Sequence, residues 1–238
     1  MLSWLMEGLV QNFKPEECEV LFIFDNCTDD SVAAFRSLRS YWLDERGYKT
    51  TEAVSATTIL EKGGHQLAID HLKTTDCNGL LVFQDDMRLN YRIADDLAKL
   101  HAEHGEKLGL VGGRDGFDNN HNVLFGAPHS ASNMRVRRLQ VGEYEKIVCV
   151  NSGPIYYPRH LVDIFGGPDP DMVAFDIWED YSYRTFFKGF VNIVLGVDIT
   201  HTKFGRVTGS TLYFPELDLG RHDRAIYTRN RELIHKQS

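Results

Sequence analysis

No two of the four cysteines stand at C-x-x-C spacing. Cys18, Cys27, Cys77 and Cys149 are scattered through 238 residues, so a zinc site built from cysteines is not expected. Cys18 and Cys149 sit in apolar runs and read as small core residues, which suits a reducing compartment. Positive charge is scarce: 26 Lys and Arg face 34 Asp and Glu, a net charge of −8. That excludes the broad basic face of a nucleic-acid binder. It leaves room for an anion held at one focused site, provided a cation comes with it. No apolar run is long enough to cross a bilayer. The opening "MLSWLMEGLV" is short, lacks a basic leader and contains Glu7, so it reads as neither span nor signal peptide. The expectation is a cytoplasmic protein, with attachment to a membrane surface left open. There is no G-x-x-x-x-G-K-[ST] phosphate loop, no strand-following G-x-G-x-x-G, no G-x-S-x-G elbow and no H-E-x-x-H. Repeats, low-complexity tracts and separating linkers are lacking too, so the chain reads as one domain.

What is present is an alternation. Apolar residues at 2, 5, 6, 9 and 10 recur at helical spacing. "CEVLFIF" (18–24) reads as a buried strand, and Thr28 or Asp29 as the cap of a helix over 31–47 closed by Gly47. A strand over 49–55, a turn at "EKGG" (61–64) and a helix over 65–75 follow. "GLLVF" (79–83) reads as a second buried strand, 91–105 as a helix and 107–113 as a third buried strand. Such alternation predicts an α/β fold, an open, mainly parallel sheet with helices on both faces. The second half is less regular. A loop spans 116–133, and 135–153 suggests two strands turning at Gly142. A helix at 158–167, another through "DYSYRTFFKGF", a strand at 191–201 and a last helix from about 222 complete the reading.

In open α/β sheets ligands bind beyond the carboxyl ends of the strands. The acidic loops fall there: Asp25 after the first buried strand, Asp85 and Asp86 after the second. Adjacent carboxylates repel unless a cation, an Arg or a helix terminus lies near. A hard divalent ion takes carboxylate oxygens and keeps positions open for phosphate. A solvated loop with capping aspartates is the competing reading. Glu179 and Asp180 open a helix, either as caps favoured by its dipole or as a general base beside a pocket. His201 reads as a third metal ligand, a base or a surface residue. "GGRD" (112–115) reads as a turn or a ligand contact, and Lys203 and Arg206 as phosphate neighbours.

In order, "EVLFIFDNCTDDS", "GGHQLAID", "GLLVFQDDM", "FGGPDPD" and "WEDYSYRTFFKGF" resemble the family-2 inverting glycosyltransferases of the GT-A fold, over roughly residues 5 to 205. The resemblance implies a nucleotide-sugar-binding half over 1–115, an acceptor-binding half over 116–205 and a tail with a helix over 206–238. It implies that Asp25, Asp29, Gln84 and Asp85 bind the donor, a UDP-sugar by first choice. It implies that Asp86, with His201, holds Mn²⁺ or Mg²⁺ on the diphosphate. Asp180 would be the base that deprotonates a carbohydrate or other hydroxyl acceptor, and Glu179, Trp178 and Arg184 would line the acceptor site. Trp178 and Tyr156 are equally readable as core aromatics.

Three positions depart from the family pattern. The chain opens at what reads as the helix after the family's first strand. Gln84 fills the first place of the Asp-x-Asp motif, and Ile69 stands where an Arg is usual. Two other readings are a metal-dependent nucleotidyltransferase on a related sheet, which lacks its Gly-rich basic loop here, and a non-catalytic binding module of the same fold.

Overall fold

The computed structural model describes residues 2–85, 87–115, 139–150, 154–172, 177–201 and 219–237. In chain order the helices are α1 (Leu2–Asn12), α2 (Ser31–Trp42), α3 (Leu60–Leu72), α4 (Ile93–His104), α5 (Arg159–Phe165), α6 (Ile177–Phe187) and α7 (Leu219–Gln237). The strands are β1 (Glu19–Asp25), β2 (Lys49–Ser55), β3 (Gly79–Val82), β4 (Met87–Leu89), β5 (Leu108–Asp115), β6 (Tyr144–Ile147), β7 (Ile155–Pro158), β8 (Val191–Val197) and β9 (Ile199–His201).

The central sheet runs β3-β7-β5-β8-β6. Its β7 is antiparallel to both β3 and β5, and β5 is parallel to β8. So β3, β5 and β8 point the same way, as the alternating pattern predicts. β1 and β2 form a separate parallel pair, and β4 pairs antiparallel with β9. Period-two alternation splits β3 between two cores. Leu80 and Val82 pack with Ile69, Tyr157, Trp178 and Tyr181 on one face. Leu81 packs with Leu97, Leu100 and Ile193 on the other. A third core, with Met6, Phe24 and Phe35, joins α1 and α2 to β1. No helix among the described residues is long and apolar enough to cross a membrane.

Several local readings change. "EKGG" is no turn: Glu61–Gly64 lie in the first turns of α3. Leu60 is held at φ +57° and folds Ile59 over the helix, and a Cβ at Gly63 would come within 2.5 Å of the Ile59 Cβ. The glycine marks a close approach. "GGRD" is no turn either but the end of β5. There Gly112 and Gly113 let Val150 and Pro154 approach, since their Cβ atoms would lie 2.9 Å from the Val150 Cβ and 2.6 Å from the Pro154 Cγ. The helix read over 31–47 stops at Trp42, and a 3₁₀ turn over Asp44–Arg46 leads to Gly47 at φ +84°. β7 is an additional buried strand. Cys149 is buried as expected, while Cys18 is only half-buried.

The α3 entry carries a pH-sensitive charge. Burial raises the Glu61 carboxyl to about 7, opposed by a hydrogen bond from Gln84 Nε2 at 3.3 Å. A carboxyl whose folded pKa lies above its unfolded value favours the fold most when protonated. Stability is therefore retained below pH 4.5 and falls as pH rises through 7. A shift of this size corresponds to about 3 kcal/mol. Glu61→Gln should abolish that slope. Urea midpoints at pH 5 and pH 8 will fall for the native chain and stay level for the variant. Equal slopes would place the titrating group elsewhere.

Candidate functional site

Three acidic positions and one amide meet at the carboxyl ends of β1 and β3. Asp25 ends β1, and its two carboxylate oxygens accept from the backbone N–H groups of Ile59, at 2.7 Å, and Leu60, at 2.9 Å. The carboxylate thus caps the entry to α3, where a helix leaves donors unsatisfied. Asp29 begins α2 from outside: its Oδ1 accepts from the Ser31 N–H at 3.0 Å, and hydrogen bonds with Ser31 lower its pKa. Gln84 and Asp85 are exposed beyond β3. All four line one cavity, together with Glu61 and Cys27. Burial, then the charges of Asp29, Asp25 and Asp85, raise the Cys27 thiol. The potential at this end of the sheet is therefore negative and suits a cation.

Asp86 and the side chain of His201 lie outside the described residues. β4 and β9 bring His201 opposite Met87, the residue after Asp86. Two positions more than a hundred residues apart in the chain thus stand opposite one another in the ladder. Among the described residues no group of three His, Cys, Asp or Glu gathers around a common point.

Asp180 sits in the first turn of α6 with its side chain 1% exposed. Its Oδ2 accepts from Arg184 Nε at 2.8 Å, and its Oδ1 from Asn230 Nδ2 at 3.1 Å. Burial raises its pKa, and Arg184 and Asn230 oppose the rise. A buried carboxyl group with a raised pKa has the chemistry to accept a proton near neutral pH. Arg184 holds more than Asp180. It donates to the carbonyls of Phe165, at 3.4 Å, and Gly167, at 3.3 Å, and its guanidinium lies 4.5 Å from the Tyr181 ring centre. These contacts tie α6 to the turn after α5. Trp178 lies in the core beside Tyr181, and Glu179 is half-buried.

The two clusters are linked. Lys62 Nζ donates to the Pro170 carbonyl at 3.3 Å, and Gly167 packs directly on the Gln66 side chain. So the loop before α6 rests on the first turns of α3. Beneath them the Tyr157 hydroxyl meets His65 Nδ1 at 3.0 Å. Burial lowers the His65 pKa to about 4, so the imidazole is neutral.

Three contributors were not singled out in the sequence. Asn230, on α7, bridges Asp180 and Asp169, donating to Asp169 Oδ2 at 2.7 Å. Its neighbour Arg229 reaches Asp171 at 3.3 Å. Nothing local marks either, because "RNREL" is an ordinary polar helix stretch whose partners lie 50 residues or more away. Glu61 was hidden by the glycine pair that suggested a turn.

No family model matches the chain, and no curated protein matches it. Solved structures do. A mannosyltransferase, PcManGT from Pyrobaculum calidifontis, in complex with GDP-Man and Mn²⁺, is similar with a TM-score of 0.60 at 13% identity, covering 98% of this chain and 64% of its own. GalNAc-T7, with UDP, GalNAc and Mn²⁺, gives 0.61 at 9% identity over 85% of this chain and 42% of its own. TarS 1–349 from S. aureus gives 0.56 at 15% over 83% and 56%. The chain therefore spans between about two fifths and two thirds of the length of these proteins. At such identities the likeness is one of fold, and the fold is the mixed α/β architecture of GT-A glycosyltransferases.

Proposed function

We propose that the chain moves a sugar from a nucleotide-diphosphate donor to an acceptor hydroxyl, with a divalent cation on the diphosphate and inversion at the anomeric carbon. The observation that carries this reading is the β4–β9 pairing. It sets His201 across from the residue after Asp86, at the strand end where Asp25, Asp29 and Asp85 line one cavity. The similar structures that hold GDP-Man or UDP together with Mn²⁺ support it.

Asp86 and His201 would hold the cation, which fits the negative potential of the cavity end. When bound, a divalent ion supplies Lewis-acid stabilisation of the charge that develops on the leaving diphosphate. The chain's own residues do the remainder. Asp85 and Gln84 line the donor side. Asp25 fixes the start of α3 and so the shape of the wall. Asp180 takes the proton of the attacking hydroxyl, and burial raises its pKa in the direction that favours this. Arg184 and Asn230 hold the carboxylate in one orientation, so little reorganisation is needed when the hydroxyl arrives.

Calorimetric titration tests the donor site. UDP and GDP should each be titrated with and without Mn²⁺ into the native chain and Asp86→Asn. Binding of at least one nucleotide that needs the metal and is lost in the variant is the expected result. Equal binding with and without metal, or no binding of either nucleotide to a folded chain, would overturn the metal-bridged donor site.

A further inference from the structure

Glu61 does nothing for the fold that the structure shows. Asp25 and Asp29 each accept backbone N–H groups at the start of a helix. Glu61 accepts none. Its Oε1 takes one long hydrogen bond, from Gln84 Nε2 at 3.3 Å, and among the described residues no Lys, Arg or His pairs with it. Its Oε2 has no hydrogen-bond partner among the described residues, yet it is not one of the sealed polar atoms of the interior. It opens on the cavity that Gln84 and Asp85 also line. Burial meanwhile raises the carboxyl to about 7, so its charge costs stability as pH rises. A titratable group kept in a cleft at the expense of stability is a candidate for function.

Its place decides what it can meet. Glu61 and His65 lie one turn apart on α3 and share a face. His65 Nδ1 lies 3.0 Å from the Tyr157 hydroxyl, and the Tyr157 ring packs edge-on against Tyr181 at 5.2 Å. The Arg184 guanidinium lies over Tyr181 and holds Asp180. This face of α3 therefore runs from the Gln84 loop towards the residues that carry Asp180. Beside Glu61, Lys62 donates to the Pro170 carbonyl in the loop before α6. Glu61 thus stands between the donor end of the sheet and the acceptor base. A nucleotide-sugar donor has three parts. The diphosphate is anionic, and a carboxylate repels it. The base lies beyond the diphosphate, away from the acceptor. Only the sugar must reach both the diphosphate and the attacking hydroxyl, so the space between belongs to it. Its hydroxyls are neutral donors, which an ionised carboxylate accepts strongly.

We propose that Glu61 accepts a hydroxyl of the donor's sugar and so helps to decide which sugar the site takes. The inference rests on the sugar-transfer reading above. Gln84 holds one oxygen of the carboxylate, and the other is left for the ligand. A sugar that lacks this hydroxyl, or carries it on the other face of the ring, leaves that oxygen unpaired. A site built to hydrogen-bond one hydroxyl rejects such analogues more sharply than an apolar pocket does.

Calorimetry separates the sugar from the nucleotide. The native chain, Glu61→Gln and Glu61→Ala are titrated with Mn²⁺ present, at pH 8, above the Glu61 value of about 7, where the native carboxyl is mostly ionised. The probes are UDP and GDP, then UDP-glucose, UDP-galactose, UDP-N-acetylglucosamine and GDP-mannose. Glu61→Gln should weaken the best-bound nucleotide sugar by about ten-fold, the difference between a charged and a neutral acceptor. Glu61→Ala should weaken it at least as much. Bare UDP or GDP should bind all three chains alike, and the spread of affinities across the sugars should narrow in the variants. Because Glu61→Gln also removes a buried charge, it should be firmer in urea at this pH and yet bind the sugar less well. A residue that only shapes the wall would not give that pairing of signs. Equal loss for bare nucleotide and nucleotide sugar would assign Glu61 to the base or diphosphate and overturn the inference. Unchanged binding of every nucleotide sugar by Glu61→Gln and Glu61→Ala would overturn it too. Failure of every nucleotide to bind the folded native chain would instead sink the sugar-transfer reading, and this inference with it.

Discussion

Asp180→Asn will lower the rate of sugar transfer by roughly 10²–10⁴-fold, the range for loss of a positioned general base. Metal-dependent nucleotide binding will remain. The substitution keeps the size of the side chain and one acceptor oxygen, which Arg184 Nε can still use. It removes the proton acceptor and nothing on the donor side. The fold should tolerate it. Burial raises the Asp180 pKa, so the charged form destabilises the fold as pH rises above the ordinary carboxyl value of 3.8. An amide never acquires that charge, which offsets the opposed donors it presents to Asn230. Nucleoside diphosphate release from a panel of UDP- and GDP-sugars measures turnover, and calorimetry measures binding. Turnover unchanged by the variant would move the base elsewhere, with Glu179 the next carboxylate to replace.

Much of the fold was legible because burial follows the apolar pattern over α4 and β8. Apolar runs of strand length stand between helices of the right spacing. What stayed hidden depends on contacts distant in the chain. Gly63, Gly112 and Gly113 look like turn residues, but each is small because a specific side chain presses on it: Ile59, Val150 and Pro154 in turn. β7 is four residues long and bordered by glycine and proline, so it offers no period to count. The site shows the same division. Strand ends followed by acid mark Asp25 and Asp85 without reference to anything else. Arg184 grips one oxygen of Asp180 from four residues on, but the grip on the other comes from Asn230, across 50 residues, and no local pattern encodes it. Trp178 has the composition of a sugar-stacking residue, but α6 turns it into the core.

Asn192→Leu should cost about 4 kcal/mol, the largest stability loss expected from a change of similar size outside the two acidic clusters. The β5–β8 ladder breaks register between Leu108 and Val111. The break frees the Leu110 N–H, and Asn192 Oδ1 accepts it at 3.0 Å. Its Nδ2 donates to the carbonyls of Val148 and Ser182, each at 2.8 Å. Thr185 Oγ1 lies 2.9 Å from Oδ1 and 2.8 Å from the Ser182 carbonyl. With one hydroxyl proton, Thr185 can turn to Ser182 when Asn192 is lost. Two groups then stay without partners, the buried Leu110 N–H and the part-buried Val148 carbonyl. Each costs about 1–3 kcal/mol. A domain of ordinary stability holds about 5–15 kcal/mol in all, so the variant will unfold at a much lower urea concentration. The irregularity in β5, the start of β8 and the middle of α6 would all lose their common anchor. Because α6 carries Asp180, slower transfer should accompany the loss of stability. A change under about 1 kcal/mol would show that solvent reaches the Leu110 N–H and Val148 carbonyl once the amide is gone.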